Sequence, residues 1–229
     1  VRLFGAARWA NANVVEVGSN HGGLTSLLSL LFRMVYAIEL HFILSLDATR
    51  TLLSEVSNVV LLTLDTTTPY ALGILAANRG IRAAVIDGAH DERSVFRDTY
   101  NVLHDIPCCV EVIVFHDYCD KEVHRAVQRF VAAGILVFDR PIGDNPGVYW
   151  WCADGRPEGA AFHVHRMELR ARLAWALRAF YGWEDMAIVG AHISSRAGFL
   201  LPLHRSTLTF AVPPEASVIH SDTMGMLRV

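Results

Sequence analysis

Short apolar runs alternate along this chain with longer stretches whose apolar positions recur every three to four residues, the pattern that βαβ units produce. Strands are predicted near 14–17, 35–38, 59–64, 83–86, 110–115, 135–139 and 147–152. Helices are predicted over 24–32, 42–56, 69–78, 91–104 and 120–133. The strand runs are mostly apolar and do not alternate strictly, which suits a parallel sheet covered on both faces. Between Arg140 and Gly147 stand Pro141, Gly143, Asp144, Asn145 and Pro146, so this stretch reads as the loop of an antiparallel hairpin joining the last two strands.

After Cys152 the character changes. Ala153 to Gly159 reads as a polar loop. Arg166 to Tyr181 then reads as an amphipathic helix, with Leu169, Leu173, Leu177 and Phe180 on one face and Arg166, Arg170 and Arg178 off it. Gly182 is its expected stop. Thr207 to Val212 alternates like a half-buried strand, and Pro213 and Pro214 separate it from a short strand over 217–220. The expected organisation is therefore an α/β domain over 1–152 and a C-terminal α+β extension over 153–229. That extension has too few strands for a core of its own and is expected to pack on the domain or on a partner.

The chemistry sits at the ends of the strands. Val14 to Val17 is closed by Gly18, and a helical pattern follows from Leu24, so Gly18, Gly22 and Gly23 form a strand-to-helix turn. Such a turn lets a ligand approach backbone N–H groups. Glu39 ends the second run about 20 residues on, where nucleotide-binding α/β folds place a carboxylate for ribose hydroxyls. Asp65, Asp87 and Asp117 stand just past the third, fourth and fifth runs.

Together the turn Glu16-x-Gly18-Ser19-Asn20-x-Gly22, Glu39, the Asp87-Gly88-x-His90 strand end and the His116-Asp117-Tyr118 strand end resemble the class I S-adenosylmethionine-dependent methyltransferases. They resemble more narrowly the small-molecule O-methyltransferase branch, over residues 10–152. The resemblance implies a Rossmann-like, seven-stranded methyltransferase sheet with helices on both faces. It implies cofactor contacts from Glu16, Gly18, Ser19, Asn20 and Gly22, ribose binding by Glu39, and an adenine contact at Asp65. It also implies Mg²⁺ held by Asp87 and Asp117, with His90 as the base that removes the acceptor's proton. Two positions depart from the family: Asn20 replaces a glycine of the loop, and Tyr118 replaces an asparagine ligand of the catechol-type enzymes, so Asp120 is a substitute candidate ligand. Asp87 and Asp117 could instead cap the helices that follow them, and Asp65 could belong to an ordinary turn. A methyltransferase-like scaffold subunit of a larger assembly, catalytically weak or inactive, is the alternative reading. An iron-using hydroxylase relative is a third.

The net charge of -3 and the pI near 6.4 supply no basic field, so a nucleic-acid partner is disfavoured and a small-molecule acceptor expected. The apolar share of 52% and the mean hydropathy of +0.31 fit a doubly covered sheet, and leave room for a homo-oligomer or a larger protein assembly. No membrane span is expected, because the most apolar window, 27–46, carries Arg33, Glu39 and His41. Cys108, Cys109, Cys119 and Cys152 show no Cys-x-x-Cys spacing and are expected as thiols in a reducing compartment. The cytoplasm or an organelle lumen such as the mitochondrial matrix would provide one, and no leader is read from Val1 onward. His163 and His165 are expected to face solvent, His220-Ser221-Asp222 cannot form a relay from adjacent positions, and His116 is expected to pack away from Asp117.

Overall fold

The computed structural model describes residues 9–40, 56–106, 109–143 and 156–181. Its contacts divide the chain into two units, Val1–Ala176 with Leu227–Val229, and Leu177–Met226. The sheet and the site belong to the first; of the second, only 177–181 are described. The predicted strands at 147–152, 207–212 and 217–220, and nearly all of the predicted helix over 42–56, lie outside the described residues.

Seven strands form one sheet: β1 (Asn13–Val17), β2 (Met34–Glu39), β3 (Val59–Thr63), β4 (Ile81–Ile86), β5 (Val112–Phe115), β6 (Leu136–Ile142) and β7 (Gly159–Val164). Their order is β3-β2-β1-β4-β5-β7-β6, with β7 antiparallel to both neighbours. The first six fall where the apolar runs predict them. The seventh strand is a correction. It is Gly159–Val164, seven residues past the point where the sequence reading ends the sheet, and its start was read as polar loop. Gly159 explains why a small residue begins it: an added Cβ would stand 3.1 Å from the Phe115 carbonyl of β5.

The helices are α1 (Gly23–Ser29), α2 (Glu92–Asp105) and α3 (Lys121–Ala132), followed by α4 over 169–181. The predicted helix over 69–78 is instead a short 3₁₀ helix, Ala71–Leu75. Crossovers between parallel strands are right-handed, and the sheet runs one way from β1 to β2 and the other way from β4 to β5. That reversal puts α1 on one face and α2 and α3 on the other. On the α1 face, Leu28 and Phe32 cluster with Val14, Val35, Ala83, Val85, Val112 and Val114. Between α2 and α3, Phe96 and Phe130 stack with centroids 4.8 Å apart. All five β1 residues are buried, as the centre of a sheet covered on both sides requires.

Of the stripe expected in the last helix, Leu173 and Leu177 are buried and Leu169 and Phe180 half-buried, while Arg166, Arg170 and Arg178 are exposed. Its first turn starts at 169, and Arg172 ties it to the sheet domain by donating to the Gly134 carbonyl. No described helix is long and apolar enough to cross a membrane.

Candidate functional site

The strand order reverses between β1 and β4, and ligands of open α/β sheets bind in the crevice beyond the carboxyl ends at such a point. Backbone hydrogen bonds continue past the strands at this edge and hold the loops side by side. Gly18 N donates to Ile38 O (2.9 Å), Asp87 N to Val17 O (2.8 Å), His116 N to Ile86 O (3.1 Å) and Tyr118 N to Glu158 O (2.7 Å). The carboxyl ends of β1, β2, β4 and β5 and the start of β7 thus converge.

Glu16, Gly18, Ser19, Asn20, Gly22 and Glu39 do come together. Gly18 has φ +86° and passes so close to the β4 loop that no side chain fits. Asn20 takes the left-handed conformation at φ 46°, which asparagine tolerates better than most residues, so it can stand in the glycine's place. Its N–H donates to Glu39 Oε2 at 2.8 Å, and Leu40 N donates to Glu39 Oε1 at 2.9 Å. Glu39 therefore lies over the turn. Beneath it Glu16 is fully buried; Oε2 accepts from Thr25 Oγ1 at 2.6 Å, while Oε1 has no partner. Burial pushes its carboxyl up to about 8. The buried Ser19 hydroxyl also lacks a partner. Two orphaned polar groups beside a glycine turn fit a cofactor that brings both an ammonium and a carboxylate, as the methionine end of S-adenosylmethionine does.

Asp65 is less free. Its Oδ1 accepts from Thr67 N (3.0 Å) and Thr67 Oγ1 (2.6 Å), the local turn that was the competing reading. From below, α2 clamps this loop: Thr66 Oγ1 donates to Asp98 Oδ1 at 2.7 Å, and Asn101 Nδ2 donates to the carbonyls of Thr66 and Thr68. Burial raises the Asp98 carboxyl to about 7. Glu16 and Asp98 both bind their protons more tightly folded than unfolded, so their contribution is full below about pH 4 and lost as pH rises to about 8. Stability should fall across that window, and Glu16→Gln and Asp98→Asn should each flatten the decline in urea melts run from pH 4 to 8. An unchanged slope in both variants would contradict the buried-acid assignment.

The acids at β4 and β5 are not caps. Asp91 caps α2 by accepting from Ser94 N (3.0 Å), and Asp120 caps α3 by accepting from Glu122 N (2.6 Å), which also removes Asp120 as a substitute ligand. Asp87 and Asp117 face a shared point with His116. Its Nδ1 lies 3.1 Å from Asp87 Oδ1 and 3.0 Å from Asp117 Oδ2. The expectation that His116 packs away from Asp117 is therefore overturned. The β5 ladder ends at Phe115, so strand alternation no longer applies, and Asp117 at φ 47° turns the chain so that neighbouring side chains share one side. His90 lies alongside, with Nε2 3.3 Å from Asp117 Oδ2 and 3.8 Å from Asp87 Oδ1.

Charge is finely matched here. The carboxylate of Asp117, then that of Asp87, pushes the His116 imidazole up to about 10. Asp87 likewise raises His90. Burial pushes both aspartates up, but the imidazoles outweigh it and leave them below the usual carboxylate range. Although close to both oxygens, His116 Nδ1 makes no hydrogen bond, so the carboxylates lie off its N–H direction. Three ligand atoms from Asp87, His116 and Asp117 fall within 4.8 Å of one another. Ligands at about 2.1 Å from one ion and at right angles are about 3.0 Å apart, which is the spacing found around Nδ1. The residues therefore fit a divalent cation. One nitrogen among three donors departs from the all-oxygen set that Mg²⁺ takes.

Beside the cluster, a groove of about 440 Å³ runs between α1 and the β6–β7 hairpin. Leu24, Leu27, Leu28 and Leu31 form one wall and Val85 and Val114 its floor, while His116, Arg140 and Glu158 supply polar groups. His163 is half exposed, as expected. Cys119 is a further correction: it is disulfide-bonded, two residues from Asp117, where the sequence predicts a thiol.

No protein-family model and no curated protein sequence matches this chain. Solved structures overlap with it at low identity. An rRNA methylase from Streptococcus thermophilus is 18% identical, over 68% of this chain and 88% of its own, with a TM-score of 0.47. The N-methyltransferase NodS from Bradyrhizobium japonicum WM9, in complex with S-adenosyl-L-homocysteine, is 12% identical, over 70% and 82%, with a TM-score of 0.48. Phosphoethanolamine N-methyltransferase 1 from Haemonchus contortus, with phosphoethanolamine and S-adenosylhomocysteine, is 12% identical, over 84% and 46%, with a TM-score of 0.49. At this distance none of them says what this chain binds or acts on. The strand order, the antiparallel β7 and the register carry the fold: a seven-stranded, Rossmann-like sheet of the methyltransferase type.

Proposed function

We propose that this chain is an S-adenosylmethionine-dependent methyltransferase that methylates a hydroxyl oxygen of a small molecule with the help of a divalent ion. The observation that carries this reading is the convergence, at the reversal point of the sheet, of a cofactor turn and an Asp–His cluster. The turn holds a buried, half-unpartnered Glu16 under a half-buried Glu39. The cluster stands one strand further along.

In this reading Glu39 binds the ribose hydroxyls, Glu16 and Ser19 receive the methionine end, and Gly18 and Gly22 keep the turn open. Asp65 borders the adenine side. The acceptor's hydroxyl lies at the Asp87–His116–Asp117 cluster, its apolar body in the leucine-walled groove, and His90 takes the proton. The acceptor oxygen then bonds to the sulfonium methyl carbon. The carbon–sulfur bond breaks, its electron pair stays on sulfur, and neutral S-adenosylhomocysteine leaves. A divalent ion at the cluster supplies Lewis acidity that lowers the pKa of the hydroxyl. Only neutral His90 accepts the proton, so the rate should rise with pH as its imidazole loses its own proton.

Calorimetric titration with S-adenosylhomocysteine tests the cofactor half. Glu39→Ala is expected to weaken binding by about 1.5–3 kcal/mol, the scale of hydrogen bonds to a charged group. Glu39→Gln, which can still accept from the Asn20 amide, separates charge from loop support. Equal affinity in all three proteins would reject the ribose role.

A further inference from the structure

We infer that the Asp87–His116–Asp117 site selects a borderline transition ion such as Co²⁺ or Zn²⁺ over Mg²⁺. The inference rests on the metal half of the proposed function and goes further, because it concerns which ion the donor set prefers. His116 Nδ1 stands 3.0 and 3.1 Å from the two carboxylate oxygens and hydrogen-bonds to neither. A nitrogen in that position is a ligand for imidazole-seeking ions. Mg²⁺ is hard, takes oxygen, and gives up its waters reluctantly.

The surroundings of the ring support the same role. A histidine that ligates through one nitrogen is oriented by a carboxylate at the other. The carboxylate nearest His116 Nε2 is Glu158 Oε1 at 3.8 Å, within ion-pair range but longer than a hydrogen bond, and the Glu158 carbonyl accepts from Tyr118 N at 2.7 Å, which fixes β7's start beside the site. His90 approaches Asp117 from the cluster's edge and leaves His116 as the nitrogen closest to both acids. The half-exposed ring is not a packing residue of the core, so its removal tests ligation without opening a cavity.

The experiment titrates the full chain, first stripped with chelator, with Co²⁺, Mn²⁺ and Mg²⁺ chlorides in turn, following heat and, for Co²⁺, visible absorption. Co²⁺ is expected to bind at least about 100-fold more tightly than Mg²⁺, with Mn²⁺ between them. His116→Ala is expected to weaken Co²⁺ at least about 30-fold and shift its absorption band, while Mg²⁺ changes less than about threefold. Asp87→Asn should weaken every ion, which locates binding at the cluster. Mg²⁺ affinity within about threefold of Co²⁺ in the unaltered chain overturns the inference and leaves a metal site standing. Equal weakening of both ions by His116→Ala also overturns it. Failure to bind any ion overturns this inference and the metal half of the proposed function, while S-adenosylhomocysteine binding would still stand or fall by its own titration.

Discussion

Asp117→Asn and Asp87→Asn are each expected to lower methyl transfer at least about 1,000-fold while leaving S-adenosylhomocysteine affinity within about threefold. The selectivity of the effect follows from where the two acids stand. Neither caps a helix, since Asp91 and Asp120 do that, so the substitutions remove no helix end. Asparagine keeps the shape and, at residue 117, tolerates the left-handed backbone at φ 47° that most residues resist. What is lost is one negative charge facing His116 and His90, and with it both ion binding and the pull that holds the two imidazoles in place. Chromatographic detection of S-adenosylhomocysteine formed from S-adenosylmethionine and an active acceptor reads the rate. A variant that keeps more than about a tenth of the parent's rate would exclude its carboxylate from the chemistry.

Gly18→Ala is expected to cost at least about 3 kcal/mol of stability. A Cβ there would lie 2.0 Å from the Asp87 carbonyl oxygen and 2.4 Å from its carbon, both backbone atoms that cannot swing away. The left-handed φ of +86° adds strain of its own. To relieve the clash the β1 turn must leave the β4 loop, which breaks the Asp87 N to Val17 O bond and separates the cofactor turn from the cluster. Gly23→Ala is the control. Nothing lies within 4 Å of its Cβ and it sits in the first turn of α1, so it should be neutral or slightly stabilising. Urea unfolding of both variants measures the difference; a loss below about 1 kcal/mol for Gly18→Ala would mean the turn does not depend on close approach.

Much of this fold is legible because a doubly covered parallel sheet writes itself as short, largely apolar runs. Val14 to Val17, Ala83 to Ile86 and Val112 to Phe115 are strands for that reason. The strand Gly159–Val164 is not legible because Gly159-Ala160-Ala161-Phe162 looks weakly apolar and follows a polar loop. Its small residues are there to fit against β5, which only the pairing reveals. Within the site, residues one turn from a strand end were legible, because topology alone sends Gly18, Glu39, Asp87 and Asp117 to one edge. His116 was not, since period-2 alternation sends it away from Asp117, and alternation ceases where the ladder ends. Glu158 and Asp98 were invisible for another reason: they reach the site from β7 and α2, and a single sequence holds no record of such long-range contacts.

The central claim is that the glycine turn over Glu16 receives the methionine end of S-adenosylmethionine. At pH 7 a Glu16 carboxyl held up at about 8 is mostly protonated in the free chain, and an ammonium group docking on it must drive the proton off. Titration with S-adenosylhomocysteine in two buffers of different ionisation enthalpy reads that proton directly. The expected result is one site per chain with net release of protons, abolished in Glu16→Gln. No binding heat in either buffer, or binding with no proton released, would contradict the account.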